Sequence, residues 1–156
     1  MAKLKFDSTP SIKGVLFQFL LALERCFKMQ EGQSVHIETY GDISVLGDWN
    51  NSEQIESKFY KKALTDLDKN IWKSIYNWMS EDFPIDKFSS LVLFTTQKVS
   101  ITSAWLNWNR KNPSERMDVL KKISKSFYSR KRKDKDLITY LNFIFDAKNT
   151  TRLTHI

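Results

Sequence analysis

Apolar and polar residues alternate along three consecutive stretches between residues 34 and 60. Successive side chains of a β-strand point to opposite faces, so a period of two is typical of strands that have one apolar face. The alternation predicts strands at residues 34–40, 42–46 and 54–60. Gly47, followed by Asp48 and later by two asparagines, predicts the turn before the third strand. The chain is therefore expected to build a sheet from this region.

Helical spacing appears on both sides of these strands. Apolar residues recur every three or four positions at residues 14–30, 70–79 and 136–147, which predicts amphipathic helices. Asn112, Pro113 and Glu115 have the order of an N-cap, a first-turn proline and a third-position glutamate. They predict the start of a further helix, which should run to about residue 128.

Residues 88–96 form a nearly continuous apolar run, as expected for a strand that is covered on both faces. The order of elements is then helix, three strands, helix, strand and helices. This order predicts an α/β sandwich with a mixed sheet. A chain of 156 residues, 41% of them hydrophobic, has enough material for a single domain, 1–156, with a sizeable core.

Cys26 is the single cysteine, which excludes an intrachain disulfide and a cysteine-based zinc site. A reducing, cytoplasmic location is expected. The longest apolar stretch, residues 15–23, is interrupted by Gln18 and is too short to span a bilayer. The first ten residues contain lysines but no uninterrupted apolar core. We therefore expect a soluble protein that is neither secreted nor bound to a membrane.

Three charged residues of the predicted strands have the types and spacing that phosphodiester hydrolysis requires. Mg²⁺ takes oxygen ligands and keeps several waters, so Asp42 and Glu56 suffice as protein ligands if their strands are adjacent. Lys58 lies two residues beyond Glu56, on the same strand face and about 6.5 Å along the strand. Its ammonium would orient or help deprotonate the attacking water there. Glu38 is a third candidate carboxylate.

Simpler explanations exist for each of these residues. Asp42 follows Gly41 and is equally typical of a turn at the start of a strand. Glu56 and Lys58 also fit a solvated strand face. Gln18 fits a buried glutamine with backbone partners as well as one that touches a metal shell. His36 has no His-Cys grouping near it, which favours a structural role over zinc ligation.

The net charge of +7 is concentrated in residues 121–135, which hold eight basic residues and one acid, Asp134. The rest of the chain has 17 basic and 17 acidic residues. The basic cluster consists of Lys121, Lys122, Lys125, Arg130, Lys131, Arg132, Lys133 and Lys135. Such a cluster favours polyanions because each neutralised phosphate releases condensed counterions, although a solvated helix end has the same composition. Lys61 and Lys62 follow the predicted catalytic strand and are further candidates to contact a DNA backbone.

The chain resembles the N-terminal endonuclease domain of bacterial anti-phage effectors. This family includes the double-strand DNA endonucleases associated with cyclic-oligonucleotide signalling (CBASS) and related domains of Lamassu-type systems. The resemblance covers roughly residues 11–108. The matching motifs are Gly14-Val15-Leu16-Phe17-Gln18, Ile37-Glu38, Asp42-Ile43, Ile55-Glu56-Ser57-Lys58, Leu64-Thr65, Ile71-Trp72, Trp78 and Leu93-Phe94-Thr95-Thr96.

The resemblance implies a PD-(D/E)XK nuclease that depends on Mg²⁺ or Mn²⁺. It also implies that the α/β fold is a restriction-endonuclease-like mixed sheet flanked by helices. Asp42, Glu56 and Lys58 match its metal and catalytic positions, and Gln18 and Glu38 match accessory ones. Glu56 stands where a glutamine is expected in many members, which makes the metal site more acidic. Family members tend to carry a sensor or ATPase module after the nuclease. The implied protein is therefore a stand-alone nuclease subunit or the N-terminal part of a longer protein.

Three functional hypotheses follow. The first is a metal-dependent endonuclease that cleaves duplex DNA with low sequence specificity in anti-phage defence, using a regulatory protein partner or a homo-oligomer for control. The second is a non-catalytic module that keeps the fold and binds nucleic acid or assembles with a protein. The third is a bacterial regulatory protein without a nucleic-acid role.

Overall fold

The computed structural model describes residues 9–156, and these residues form two compact units. Unit 1 contains the described residues up to Lys61 together with Asp86–Thr96. Unit 2 contains Lys62–Ile85 and Gln97–Ile156. The single domain expected from chain length stays a prediction, and each unit is described by itself.

Unit 1 consists of one long helix and a four-stranded sheet. The elements are α1 (Thr9–Lys28), β1 (Ser34–Ile37), β2 (Ile43–Leu46), β3 (Glu53–Lys58) and β4 (Ser90–Thr95). The strands lie in the order β1-β2-β3-β4. The first two pairings are antiparallel, whereas β3 and β4 are parallel. The mixed sheet and the α/β class expected of a restriction-endonuclease-like fold are thereby confirmed.

The core of unit 1 lies where α1 meets the sheet. Leu21 and Ala22 of α1 are buried against Ile43 of β2 and Ile55 of β3. Val35, Ile37 and Val92 are partly buried around them. Leu21 and Ala22 lie three and four residues after Gln18, and this spacing sets all three side chains on one side of α1. This side faces the sheet.

The strand predicted at residues 88–96 is confirmed as β4, but the expectation that it is covered on both faces is wrong. None of the six residues of β4 is fully buried, and Phe94 is 38% exposed. The physical reason is position, because among the described strands β4 is the last in the sheet order and has a neighbour, β3, on one side only. The apolar side chains of β4 are therefore only partly covered at this edge of the sheet.

Unit 2 is helical. Its helices are α2 (Lys69–Trp78), α3 (Pro113–Tyr128), α4 (Lys135–Ile144) and α5 (Thr150–Leu153). The predicted start of α3 is confirmed, since Asn112 and Glu115 form a reciprocal capping box. Trp72 is fully buried, with its ring centroid 5.7 Å from that of Trp105, and its Nε1 donates to the Asp66 carbonyl at 2.9 Å. This tryptophan anchors the core of unit 2.

The four-residue helix α5 has no periodic pattern of its own, and the sequence did not predict it. Its Arg152 guanidinium donates hydrogen bonds to four carbonyl groups around the end of α2. The acceptors are Trp78, Met79, Ser80 and Phe83, at 2.7–3.3 Å. The end of a helix leaves carbonyls without intrahelical donors, so Arg152 satisfies α2 and holds α5 in place.

Within residues 9–156, no helix combines the length and the apolar character that crossing a lipid bilayer requires.

Candidate active site

Asp42, Glu56 and Lys58 meet on two neighbouring strands of unit 1. β2 and β3 are antiparallel, and Ile43 pairs with Ile55. Asp42 immediately precedes Ile43, so this register brings it level with Glu56. Lys58 lies two residues further along β3, on the same face as Glu56, as strand parity predicts.

The Lys58 ammonium bridges the two carboxylates. Its Nζ is 2.8 Å from Glu56 Oε2 and 3.5 Å from Asp42 Oδ2. Glu56 is only 8% exposed, and the side chains of Asp42 and Lys58 are also largely covered. A buried carboxylate is costly unless it is paired and hydrogen-bonded, so the lysine compensates charge that the fold has withdrawn from water.

Burial alone would lower the pKa of Lys58, because it disfavours the ammonium. Coulombic attraction and a hydrogen bond to Glu56, followed by the same contributions from Asp42, outweigh burial and raise the pKa above its ordinary value. Lys58 is therefore protonated at neutral pH. In this arrangement it acts as a positive charge and a hydrogen-bond donor rather than as a base.

Asp42 is held by a residue to which sequence reasoning assigned no role. The Ser57 backbone N–H and the Ser57 hydroxyl both donate to Asp42 Oδ2, at 2.7 and 3.0 Å. These two bonds fix the carboxylate beside Lys58. No pattern in the sequence signals the contact, because it depends on the pairing of β2 with β3.

Gln18 and Glu38 lie next to this group. Gln18, 7% exposed on the sheet side of α1, donates through Nε2 to Glu38 Oε1 at 2.7 Å and to the Asp42 carbonyl at 2.8 Å. The same carbonyl accepts from the Glu38 backbone N–H at 3.2 Å. Gln18 therefore connects α1 to both ends of the β1–β2 loop. It bonds the side chain of Glu38 at one end and the backbone carbonyl of Asp42 at the other.

The β1–β2 loop has an unusual backbone. Glu38 has a φ of +58° and Gly41 a φ of +104°. A left-handed φ is uncommon for a non-glycine residue, so Glu38 is strained, and such strain concentrates at functional sites. A Cβ at position 41 would lie 2.3 Å from Gln54 Nε2 and 2.9 Å from Glu56 Oε1. Only glycine therefore fits beside the Glu56 carboxylate.

Gln54 completes the surroundings of Glu56. It is fully buried on β3, and its Nε2 lies 3.3 Å from Glu56 Oε1. Gln54 lies two residues before Glu56, so strand parity sets it on the same face as Glu56 and Lys58. The sequence signal that could have indicated its contact with Glu56 is its position two residues before Glu56 in an alternating strand.

The oxygen donors fit a hard divalent cation. Asp42 and Glu56 both direct a carboxylate oxygen at one positive group, and two carboxylates are enough for Mg²⁺ or Mn²⁺ when water fills the other positions. In the described part of the chain, no cluster of three or more His, Cys, Asp or Glu side chains could hold a metal ion. Water would therefore have to supply most of the coordination. His36 instead pairs through Nε2 with the Ser34 hydroxyl at 2.9 Å.

All the predicted DNA-contacting residues are exposed. Lys61 belongs to unit 1 and Lys62 to unit 2. Lys121, Lys122 and Lys125 lie on α3, whereas Arg130, Lys131, Arg132 and Lys133 lie in the connection from α3 to α4, all in unit 2. That these residues contact DNA stays a prediction.

Asp134, the one acid in the basic cluster, caps α4 and pairs with Lys69 at 2.8 Å. Asp136 pairs with the same ammonium at 2.9 Å. Hydrogen bonds to Asp134 and Asp136 raise the pKa of Lys69, and the bond from Lys69 lowers the pKa of Asp134. Lys69 therefore faces two carboxylates, and its single positive charge balances only one of them.

The chain matches no protein-family model, and comparisons with curated proteins and with solved structures find no significant match either.

Proposed function

We propose that this protein is a Mg²⁺-dependent DNA endonuclease of the PD-(D/E)XK type, acting as a bacterial anti-phage defence effector that cleaves duplex DNA with low sequence specificity. The supporting observation is the meeting of Asp42, Glu56 and Lys58 on adjacent strands, with Lys58 Nζ 2.8 Å from Glu56 and 3.5 Å from Asp42. An acidic pair with an adjacent ammonium matches the needs of phosphodiester hydrolysis.

Each of the three residues has a distinct role in this proposal. Asp42 and Glu56 hold the metal ion, which supplies charge neutralisation at the phosphate and lowers the pKa of a bound water. Lys58 orients the attacking water and stabilises the negative charge that develops on the phosphate. The proton of the attacking water passes to the solvent or to the phosphate.

Ser57, Gln18 and Glu38 are positioning residues in this proposal. Ser57 fixes the Asp42 carboxylate by two hydrogen bonds, and Gln18 joins the Asp42 carbonyl to Glu38. Groups that hold metal ligands in place affect affinity and rate almost as strongly as the ligands themselves. The basic cluster of unit 2 supplies phosphate contacts without sequence preference, which accounts for low specificity.

The test is cleavage of supercoiled plasmid by the purified chain, with Mg²⁺, with Mn²⁺ and with EDTA. We expect metal-dependent nicking and linearisation, and a loss of at least about 100-fold in Lys58→Ala, since removing one transition-state donor costs roughly 10²–10³ in rate. Lys73→Ala, which removes an exposed lysine of α2, is the matched control and should keep full activity. Undiminished cleavage by Lys58→Ala, or cleavage in EDTA, would contradict the mechanism.

A second candidate is a non-catalytic nucleic-acid-binding or assembly module. The observation that favours it is the completeness of the ion pair, since Lys58 already compensates both carboxylates. Calorimetric titration with Mn²⁺ separates the two candidates. Binding that disappears in Asp42→Asn and Glu56→Gln supports the nuclease, whereas no binding, together with DNA retention and no cleavage, supports the module.

A further inference from the structure

Helix α1 presents a second apolar face to solvent, opposite the side that packs on the sheet. Gln18, Leu21 and Ala22 are buried on the sheet side. The other side carries seven apolar residues that are half to four-fifths exposed. They are Ile12, Val15, Leu16, Phe19, Leu20, Leu23 and Phe27. We call these seven residues the outer face of α1.

The outer face is larger than an ordinary surface patch. Leu20 is 65% exposed and Phe27 is 82% exposed. With the areas that apolar and aromatic side chains have, the seven residues leave about 700 Å² of apolar surface in water. The largest patch of a typical monomer is roughly 300–600 Å², whereas each partner of a stable complex covers about 800 Å². The area therefore matches one half of a standard interface.

The spacing of the outer face is nearly the same in both directions along the helix. Three pairs, Ile12 and Phe27, Leu16 and Leu23, and Phe19 and Leu20, are placed symmetrically about the midpoint between residues 19 and 20. If a two-fold axis passes through that midpoint, each residue of a pair lies at the same height as the other residue of that pair in a second copy. Self-complementarity of this kind is the requirement of an isologous dimer.

We propose that the outer face of α1 binds a second copy of this chain, with the two α1 helices antiparallel and crossing at residues 19 and 20. Seven apolar side chains from each copy then leave water together, and the antiparallel arrangement aligns the helix dipoles favourably. Glu24 and Lys28, paired with each other at the rim, stay in solvent. This proposal does not depend on the proposed nuclease activity.

The first test is the mass of the native protein in solution, measured by analytical ultracentrifugation over micromolar concentrations. We expect a dimer that Leu20→Glu weakens on the order of 100-fold, because each dimer buries two unpaired carboxylates at its centre. Phe27→Glu should act in the same direction. Ile101→Glu, the same type of change at an exposed residue of unit 2, is the control and should leave the dimer intact. Circular dichroism verifies that each variant is folded.

The second test fixes the direction of the helices. The proposed register separates the two Cys26 residues by about 20 Å, whereas parallel helices would bring them to the same height. Mild oxidation should therefore not cross-link the native chain. A monomeric native protein, a dimer indifferent to Leu20→Glu and Phe27→Glu, or efficient cross-linking of native Cys26 would each overturn the proposal.

Discussion

At the scale of single residues, Lys58 decides the electrostatics of the candidate site. Two carboxylates on adjacent strands of a covered sheet repel each other and lose hydration, and one ammonium between them relieves both effects. The pair Glu56 and Lys58 was predictable from strand parity, since residues two apart share a face. Asp42 was expected to lie near Glu56 only if their strands were neighbours. The pairing of β2 with β3 shows that they are.

The raised pKa of Lys58 predicts how stability responds to alkaline pH. A raised pKa means that the folded state holds the proton more tightly, so the contribution is complete below the unfolded value of about 10.4 and is lost as pH rises through the higher folded value. The difference in unfolding free energy between the native chain and Lys58→Met should stay constant from pH 7 to 9 and shrink above about pH 10.5. Urea titrations at each pH measure it. A difference that grows at alkaline pH would contradict the ion pair, and Lys73→Met reports the effect of removing an exposed lysine.

At the scale of elements, the β1–β2 loop determines the shape of the site. It holds Glu38 in a left-handed conformation, brings Gly41 against Glu56 and Gln54, and presents the Asp42 carbonyl to Gln18 of α1. Alternation predicted a strand through residue 40, which is wrong, since β1 ends at Ile37 and the chain turns at Glu38. The conformation of this loop depends on α1 and β3, which are distant in sequence and close in space.

The close approach at Gly41 predicts an unusually costly substitution. Gly41→Ala forces a left-handed φ on alanine and places its Cβ 2.3 Å from the Nε2 of fully buried Gln54, so we expect a loss of about 2–4 kcal/mol in unfolding free energy and weaker metal binding. Gly32→Ala is the matched control, because Gly32 has a φ of +83° and no atom within 4 Å of the position that an added methyl group would take. It should cost only about 1 kcal/mol. Equal losses in urea unfolding would show that the contact with Gln54 and Glu56 is unimportant.

At the scale of the whole molecule, charge and apolar surface are distributed unevenly. The excess positive charge is confined to α3 and its connection to α4 in unit 2, and the outer face of α1 belongs to unit 1. Uneven charge of this size governs association with polyanions rather than the fold itself. Its consequence is therefore expected in the salt dependence of DNA binding.

The basic cluster predicts a specific change in that salt dependence. Combining Arg130→Ala with Arg132→Ala should reduce the slope of log affinity against log salt concentration by about 2, since each phosphate contact contributes about 0.9. Fluorescence anisotropy with a labelled duplex between about 50 and 200 mM salt gives the slope. Combining Lys73→Ala with Lys98→Ala removes the same charge at exposed positions outside the cluster and should leave the slope unchanged. Equal reductions in both variants would mean that only net charge matters.

The sequence by itself determined the local structure of this protein. Alternation predicted β1, β2 and β3, three- and four-residue spacing predicted α1, α2 and α4, and the capping residues predicted where α3 begins. These features depend on interactions within a few residues of chain. The parity that sets Glu56 beside Lys58 is local in the same sense.

Only the tertiary structure decided the arrangement of these elements. It pairs β3 in parallel with β4 at the sheet edge, brings Ser57 onto Asp42, and sets Gly41 against Gln54. It also leaves one side of α1 on the sheet and the other side in solvent, although both are apolar in sequence. The physical reason is that register, close approach and burial arise between segments distant along the chain, and no local pattern encodes which segment will be the neighbour.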